Sequence, residues 1–192
     1  MKPNSPVVTI ILIGISIAVA IFSQLGSSEQ LLNYLFITDP NTGGFEAISS
    51  GEVWRLLTPI FIHFGIMHIV FNMLWMWDLG RMVEWRCGPL FLGSFVVVVG
   101  IASNLAQFVM QGSPYFGGMS GVIYGLLGFA WMQGKYNPRF GFVLNKGTVG
   151  MMLIWFVLCW TGLLGSIANW AHTTGLLIGT AWGFVSRGGP KP

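Results

Sequence analysis

Charge is what this sequence has least of. Of its 192 residues only 8% are Asp, Glu, Lys or Arg, while 54% are hydrophobic. A soluble domain carries about 25% charged residues, so nine basic and six acidic side chains cannot cover a water-facing surface here. That scarcity excludes an ordinary soluble domain and fits a bundle of membrane helices. Cysteine is scarcer still, with Cys87 and Cys159 the only two. They fall at opposite ends of the topology derived below, so no disulfide is expected, and neither has metal-ligand spacing. The net charge is +3, yet the basic residues do not cluster, which argues against a nucleic-acid partner. A cleavage pattern of small residues is missing after the first apolar run, so that run reads as a retained span rather than a secretory signal.

What is present is a series of long apolar windows, near 7–23, 66–84, 91–110, 119–134, 148–164 and 170–186. Crossing the hydrocarbon takes about 20 residues, and the windows predict six spans in a single all-α membrane domain, 1–192. The connection 24–65 is too long and too apolar for a plain linker. It is expected to fold partly into the outer interface as short helices. Lys2, Arg81, Arg86, Lys135, Arg139, Lys146, Arg187 and Lys191 all fall on one side of such a bundle, and Arg55 alone on the other. The positive-inside rule then puts both termini in the cytoplasm.

That orientation aligns four polar side chains in depth. Spans two, four and six all enter from the outer face, and near their starts stand His68 and Asn72, Ser120, and His172. A serine in a membrane helix ordinarily bonds its own backbone or helps helices pack. An intramembrane histidine is costlier and reads as functional, with a proton path or an interhelix bond as other uses. The stripes Ser120, Tyr124, Gly128 and His172, Gly175, Gly179, Gly183 are small enough for spans four and six to approach closely. Such an approach brings the His172 imidazole within reach of the Ser120 hydroxyl, the minimum for base-activated nucleophilic attack.

Span four also looks short, from Met119 to about Gln133, or about 22 Å at 1.5 Å per residue. Its N-terminus should start below the surface, under an irregular Tyr115–Gly118 segment lining a wet cavity. There the orphan N–H groups of a first helical turn favour an oxyanion. No acid stands where it would complete a triad, so a Ser–His dyad is expected, with the Tyr124 ring supporting His172. The histidines of IHFGIMHIVFN lack HExxH spacing, which disfavours a metalloprotease. No metal or cofactor is called for.

These residues resemble the rhomboid intramembrane serine proteases. GMSG at 118–121 is similar to the family's GxSG motif, AHTTG at 171–175 to its AHxxG motif, and HFGIMHIVFN at 63–72 to the pattern of its second span. VWR at 53–55 resembles the Trp-Arg motif of its first loop. The resemblance implies a six-transmembrane-helix bundle with a long interfacial first loop, and cleavage of peptide bonds in or near the transmembrane segments of substrate proteins. It implies Ser120 as nucleophile and His172 as general base. It implies an oxyanion hole from His68, Asn72 and the backbone of Gly117 and Ser120, and a position for Trp160 linked to substrate entry. His63 is either a supporting residue or, as favoured here, a structural one bonded to loop backbone. Trp54 and Arg55 read as loop anchors, and Asp78 with Arg81 as a structural ion pair. The implied setting is a bacterial inner membrane, among lipid, with the site opening outward. The glycine ridges fit packing within one chain or between copies equally, so no oligomeric state is inferred. Three rivals are an inactive relative that binds membrane proteins, a proton or solute transporter, and a specialised rhomboid branch that trims C-terminal anchor segments of particular surface proteins. The first would lack the serine or histidine; the second leaves GxSG unexplained, and no internal repeat supports it.

Overall fold

The computed structural model describes residues 5–40 and 43–188. Lys2 and Lys191, two of the charges used for orientation, lie outside the described residues. Among the described residues the fold is all-helical, without a strand. A helix lies over each of the six apolar windows: α1 (Val7–Phe22), α4 (Ile66–Trp75) continuing into α5 (Arg81–Cys87), α6 (Pro89–Gln111), α7 (Ser120–Tyr136), α8 (Lys146–Trp160) and α9 (Asn169–Val185). Of these, α6 alone is long and apolar enough to cross a membrane by length and composition. Pro89 presets its first turn and Gly112, at φ +72°, ends it.

Between α4 and α5 the helix continues as a π-turn, Met76–Gly80. The turn is wide where α1 comes closest. A Cβ on Gly80 would stand 2.6 Å from Met76 Cε and 3.3 Å from Thr9 Oγ1. The buried face of α1 is correspondingly small: Thr9, Leu12, Ser16 and Ala20. Its N-terminus is held by buried Glu84, whose carboxylate accepts from the Val8 and Thr9 amides at 2.8 Å and from the Thr9 hydroxyl at 2.7 Å. A carboxylate there satisfies orphan amides and complements the helix dipole.

The axis of the bundle is α7, buried without interruption from Gly121 to Ala130. Its closest partner is α9, and glycine decides the spacing. A Cβ on Gly125 would lie 3.3 Å from the Gly175 carbonyl oxygen, one on Gly128 2.8 Å from that of Leu176, and one on Gly183 2.6 Å from that of Phe129. The close approach expected from the glycine stripes is therefore what the two helices make. α7 runs to Tyr136, 17 residues, rather than stopping near Gln133. Gln133 is a tie point instead of an end, donating to Gly183 O at 2.7 Å and accepting from Asn137 Nδ2 at 2.7 Å. At about 26 Å the helix is still shorter than a hydrocarbon core of about 30 Å.

The connection 24–65 carries α2 (Glu29–Leu35), α3 (Glu46–Ser49) and two 3₁₀ turns, Val53–Leu56 and Thr58–Phe61. Arg55 differs from an interfacial anchor in being 3% exposed. It pairs with Glu52 and donates to the Asn33 and Phe36 carbonyls, stapling the loop from inside. Trp54 donates to Tyr34 O at 3.1 Å. Asn104 of α6 donates to Leu56 O at 2.9 Å, so the loop is fastened to the bundle.

Candidate active site

The segment before α7 is irregular because two glycines let it pass close to the loop. A Cβ on Gly117 would lie 2.6 Å from Ile62 Cβ, while Gly118 sits at φ +120° and donates its N–H to Pro59 O at 3.0 Å. Neither position admits a side chain without strain. Ser120 then opens α7, in the turn whose N–H groups have no intrahelical acceptor.

His172 lies in the first turn of α9, 5% exposed. Its Nε2 is 2.7 Å from Ser120 Oγ. For Nε2 to accept the hydroxyl proton, the ring must carry its own proton on Nδ1. Nδ1 is buried with no hydrogen-bond partner among the described residues. A third member of a triad is thus not in contact, and ring packing takes its place: Tyr124 stands 4.8 Å from the His172 ring at 44°. The Tyr124 hydroxyl donates to Met152 O of α8 at 3.2 Å.

His68 approaches Ser120 from α4. The point where a Gly118 Cβ would fall is 2.7 Å from His68 Nε2 and 3.7 Å from Ser120 Oγ. Asn72, one turn on, donates one amide hydrogen to His68 O at 2.8 Å, and its second amide hydrogen is not used by that bond. Ser120, His172 and the His68 ring are thus brought close together, while Asn72 is tied to them through the His68 backbone. His63 is fully buried and bonded to loop backbone, Nδ1 to Phe61 O at 3.0 Å, as its structural reading required. Burial first, then the neighbouring His68 ring, pushes its pKa down to about 4, so it is neutral near pH 7. Trp160 stands apart, half-exposed and edge-on to Trp170 with ring centroids 5.1 Å apart. Asp78 and Arg81 pair at 3.3 Å on an exposed face. Cys87 and Cys159 are both free thiols.

Several participants escaped the sequence reading. Gln107 of α6 accepts from the Trp170 and Ala171 amides at 3.0 and 3.1 Å, capping α9 just before His172. A fully buried glutamine within an apolar window was the available signal. Asn169 donates to Cys159 O at 3.0 Å, tying α9 to the end of α8. Phe71 and Trp155 meet across α4 and α8 with centroids 6.3 Å apart, and nothing in their local sequence marks them.

A half-buried serine in contact with a buried histidine, on two glycine-lined helices, narrows the field, and comparison with known proteins decides it. The family described as the Rhomboid domain matches residues 50–188. The chain belongs to the rhomboid family. Proteins named Rhomboid protease GlpG from Salmonella paratyphi A, Salmonella newport and Salmonella typhi are each 43% identical to it over 144 residues. Those alignments cover 73% of this chain and 51% of each relative. The chain spans about half the length of the curated rhomboid relatives it matches.

Proposed function

We propose that this rhomboid chain is an intramembrane serine endopeptidase that cleaves peptide bonds in or near the transmembrane segments of other membrane proteins. The observation that carries the reading is the 2.7 Å contact between His172 Nε2 and Ser120 Oγ. His172 takes the hydroxyl proton as Oγ bonds to the substrate carbonyl carbon. His68 Nε2–H, the second Asn72 amide hydrogen and the backbone N–H groups at the start of α7, with Gly117, receive the developing oxyanion. Such a donor is worth about 3 kcal/mol of barrier. The tetrahedral intermediate collapses, the C–N bond breaks, and the leaving amine takes the proton from Nε2. Water then gives a proton to His172 as its oxygen bonds to the acyl carbon; the C–Oγ bond breaks and Ser120 regains its proton.

Residues 1–192 form one domain with six membrane crossings at the six windows. Both termini face the cytoplasm of a bacterial inner membrane, and the site opens toward the outer face. Tyr124 supports the base, His63 braces the loop beneath the oxyanion donors, and Trp160 lines the side from which a substrate helix enters. The partners are transmembrane substrates and membrane lipid. An inactive binding role is not favoured, because Ser120 and His172 are both present and in contact.

The test is cleavage of a purified transmembrane substrate in detergent by the wild-type chain beside Ser120→Ala and His172→Ala. Cleavage by the wild type alone supports the reading. Cleavage that persists in Ser120→Ala removes the nucleophile, and none by the wild type removes the protease.

A further inference from the structure

The backbone is strained at one place far from Ser120 in sequence. Gln24 and Leu25 hold φ of 52° and 56°, and Gly26 follows at 90°. Two consecutive non-glycine residues in the left-handed region are costly and persist only where their surroundings over-determine them. The surroundings here are the segment 63–65. Leu25 N–H donates to Ala20 O at 2.7 Å, and its carbonyl accepts from Gly65 N–H at 3.0 Å. Gly26 lies flat against Phe64, where a Cβ would meet Phe64 Cδ1 at 2.6 Å, with His63 O and Phe64 Cα both at 3.3 Å. Gly65, itself at φ 89°, then starts α4.

Held in this clasp, the Phe64 N–H points at His68 Nδ1, 3.2 Å away. An imidazole nitrogen that accepts a hydrogen bond carries no proton, so a neutral His68 bears its proton on Nε2. Nε2 is the nitrogen beside the nucleophile, 2.7 Å from the point that also lies 3.7 Å from Ser120 Oγ. An oxyanion formed there needs an N–H; the other tautomer would offer a lone pair and repel it. His63 does not compete for His68 Nδ1: its own Nδ1 is bonded to Phe61 O, and its Nε2 has no hydrogen-bond partner among the described residues.

We infer that the Gln24–Leu25–Gly26 turn is a positioning device that, through the amides of Phe64 and Gly65, fixes His68 as the Nε2–H tautomer and thereby as an oxyanion donor. The inference rests on the protease reading for its purpose, while the tautomer can be measured without any substrate. The turn opens the first loop and the Phe64 and Gly65 amides close it, so the two ends of the loop act together on His68 of α4.

The experiment is ¹⁵N NMR of ring-labelled histidine in the full chain in detergent. The chain has only three histidines, so single substitutions His63→Gln and His172→Ala assign the signals. Wild-type His68 is expected to show an unprotonated Nδ1 and a protonated Nε2. Replacing Phe64 by phenyllactic acid turns that one amide into an ester and deletes only the N–H. The ester should shift His68 toward the Nδ1–H form and lower kcat about tenfold to a hundredfold, with KM within about twofold. Gly26→Ala, which drives a Cβ into Phe64, should move the same resonances in the same direction; if it does not fold, the ester carries the test. An Nδ1–H signature at His68 in active wild type overturns the inference and leaves the protease reading intact. An ester variant with wild-type kcat and an unmoved tautomer overturns it too. A wild type that shows Nε2–H but cleaves nothing removes the protease reading alone.

Discussion

A serine in a membrane helix ordinarily satisfies its hydroxyl on its own backbone; Ser120 is instead 2.7 Å from a histidine on another helix. Spacing was enough to foresee that pair and the Tyr124 ring, because the stripe Ser120, Tyr124, Gly128 and the stripe His172, Gly175, Gly179, Gly183 put these side chains on the facing surfaces of the two helices. It could not reveal Gln107 or Phe64, whose contributions run through backbone amides brought near by the fold. Tyr124 makes two separable contacts. Tyr124→Phe keeps the ring against His172 and loses the bond to Met152 O, so unfolding in detergent should register a loss of about 1 kcal/mol. Tyr124→Ala also removes the ring, adding a cavity cost of about 3 kcal/mol or more, and should lower kcat more than it changes KM. His63 predicts a pH effect. Its folded pKa near 4 lies below the ordinary 6.5, so between those values the unfolded chain binds more protons than the folded one. Stability is then full above pH 6.5 and falls as pH drops toward 4, by about 3 kcal/mol at the limit. Unfolding measured on both sides of that window should show the loss in wild type and a flatter profile in His63→Gln. Equal profiles would remove His63 as its source.

Among the elements, the α7–α9 contact has the least tolerance. A Cβ on Gly179 would come within 2.6 Å of the Gly125 carbonyl carbon, and one on Gly175 within 2.8 Å of that of Gly121. Both meet backbone, which cannot rotate aside, so Gly175→Ala and Gly179→Ala should each cost about 3 kcal/mol or more and separate His172 from Ser120. Gly14 on α1 has nothing within 4 Å of its Cβ position, and Gly14→Ala should be neutral or stabilising by up to about 1 kcal/mol. Thermal unfolding of the three variants in one detergent checks the contrast. The capping of α1 by Glu84 is a second element-scale contact. Glu84→Ala leaves three donors unpaired and should cost about 3 kcal/mol, read in the same assay. Apolar length made the helices legible, and small-residue stripes made their pairing legible. The π-turn at Met76–Gly80 was not, since it answers to the fit of Gly80 against Thr9 and Met76 rather than to any local pattern. The end of α7 was misjudged for a similar reason: Gln133 is polar, but its partners lie on α9 and on Asn137.

For the molecule as a whole, membership in the rhomboid family and an all-helical fold agree with what composition and motif spacing indicated. The proposed arrangement in the membrane makes its own prediction. A cysteine at exposed Ser50 should react with an impermeant maleimide from outside the cell, and one at exposed Lys146 only after the membrane is opened. The buried native thiols Cys87 and Cys159 give little background. Labelling of both from the same side would break the six-crossing reading. The central claim, that His172 activates Ser120 for attack, is tested most directly by mass spectrometry after treatment with a serine-directed fluorophosphonate. The account predicts one adduct, on Ser120, in the wild type and little or none in His172→Ala. An unmodified Ser120 in folded wild type, or equal labelling without His172, would contradict it.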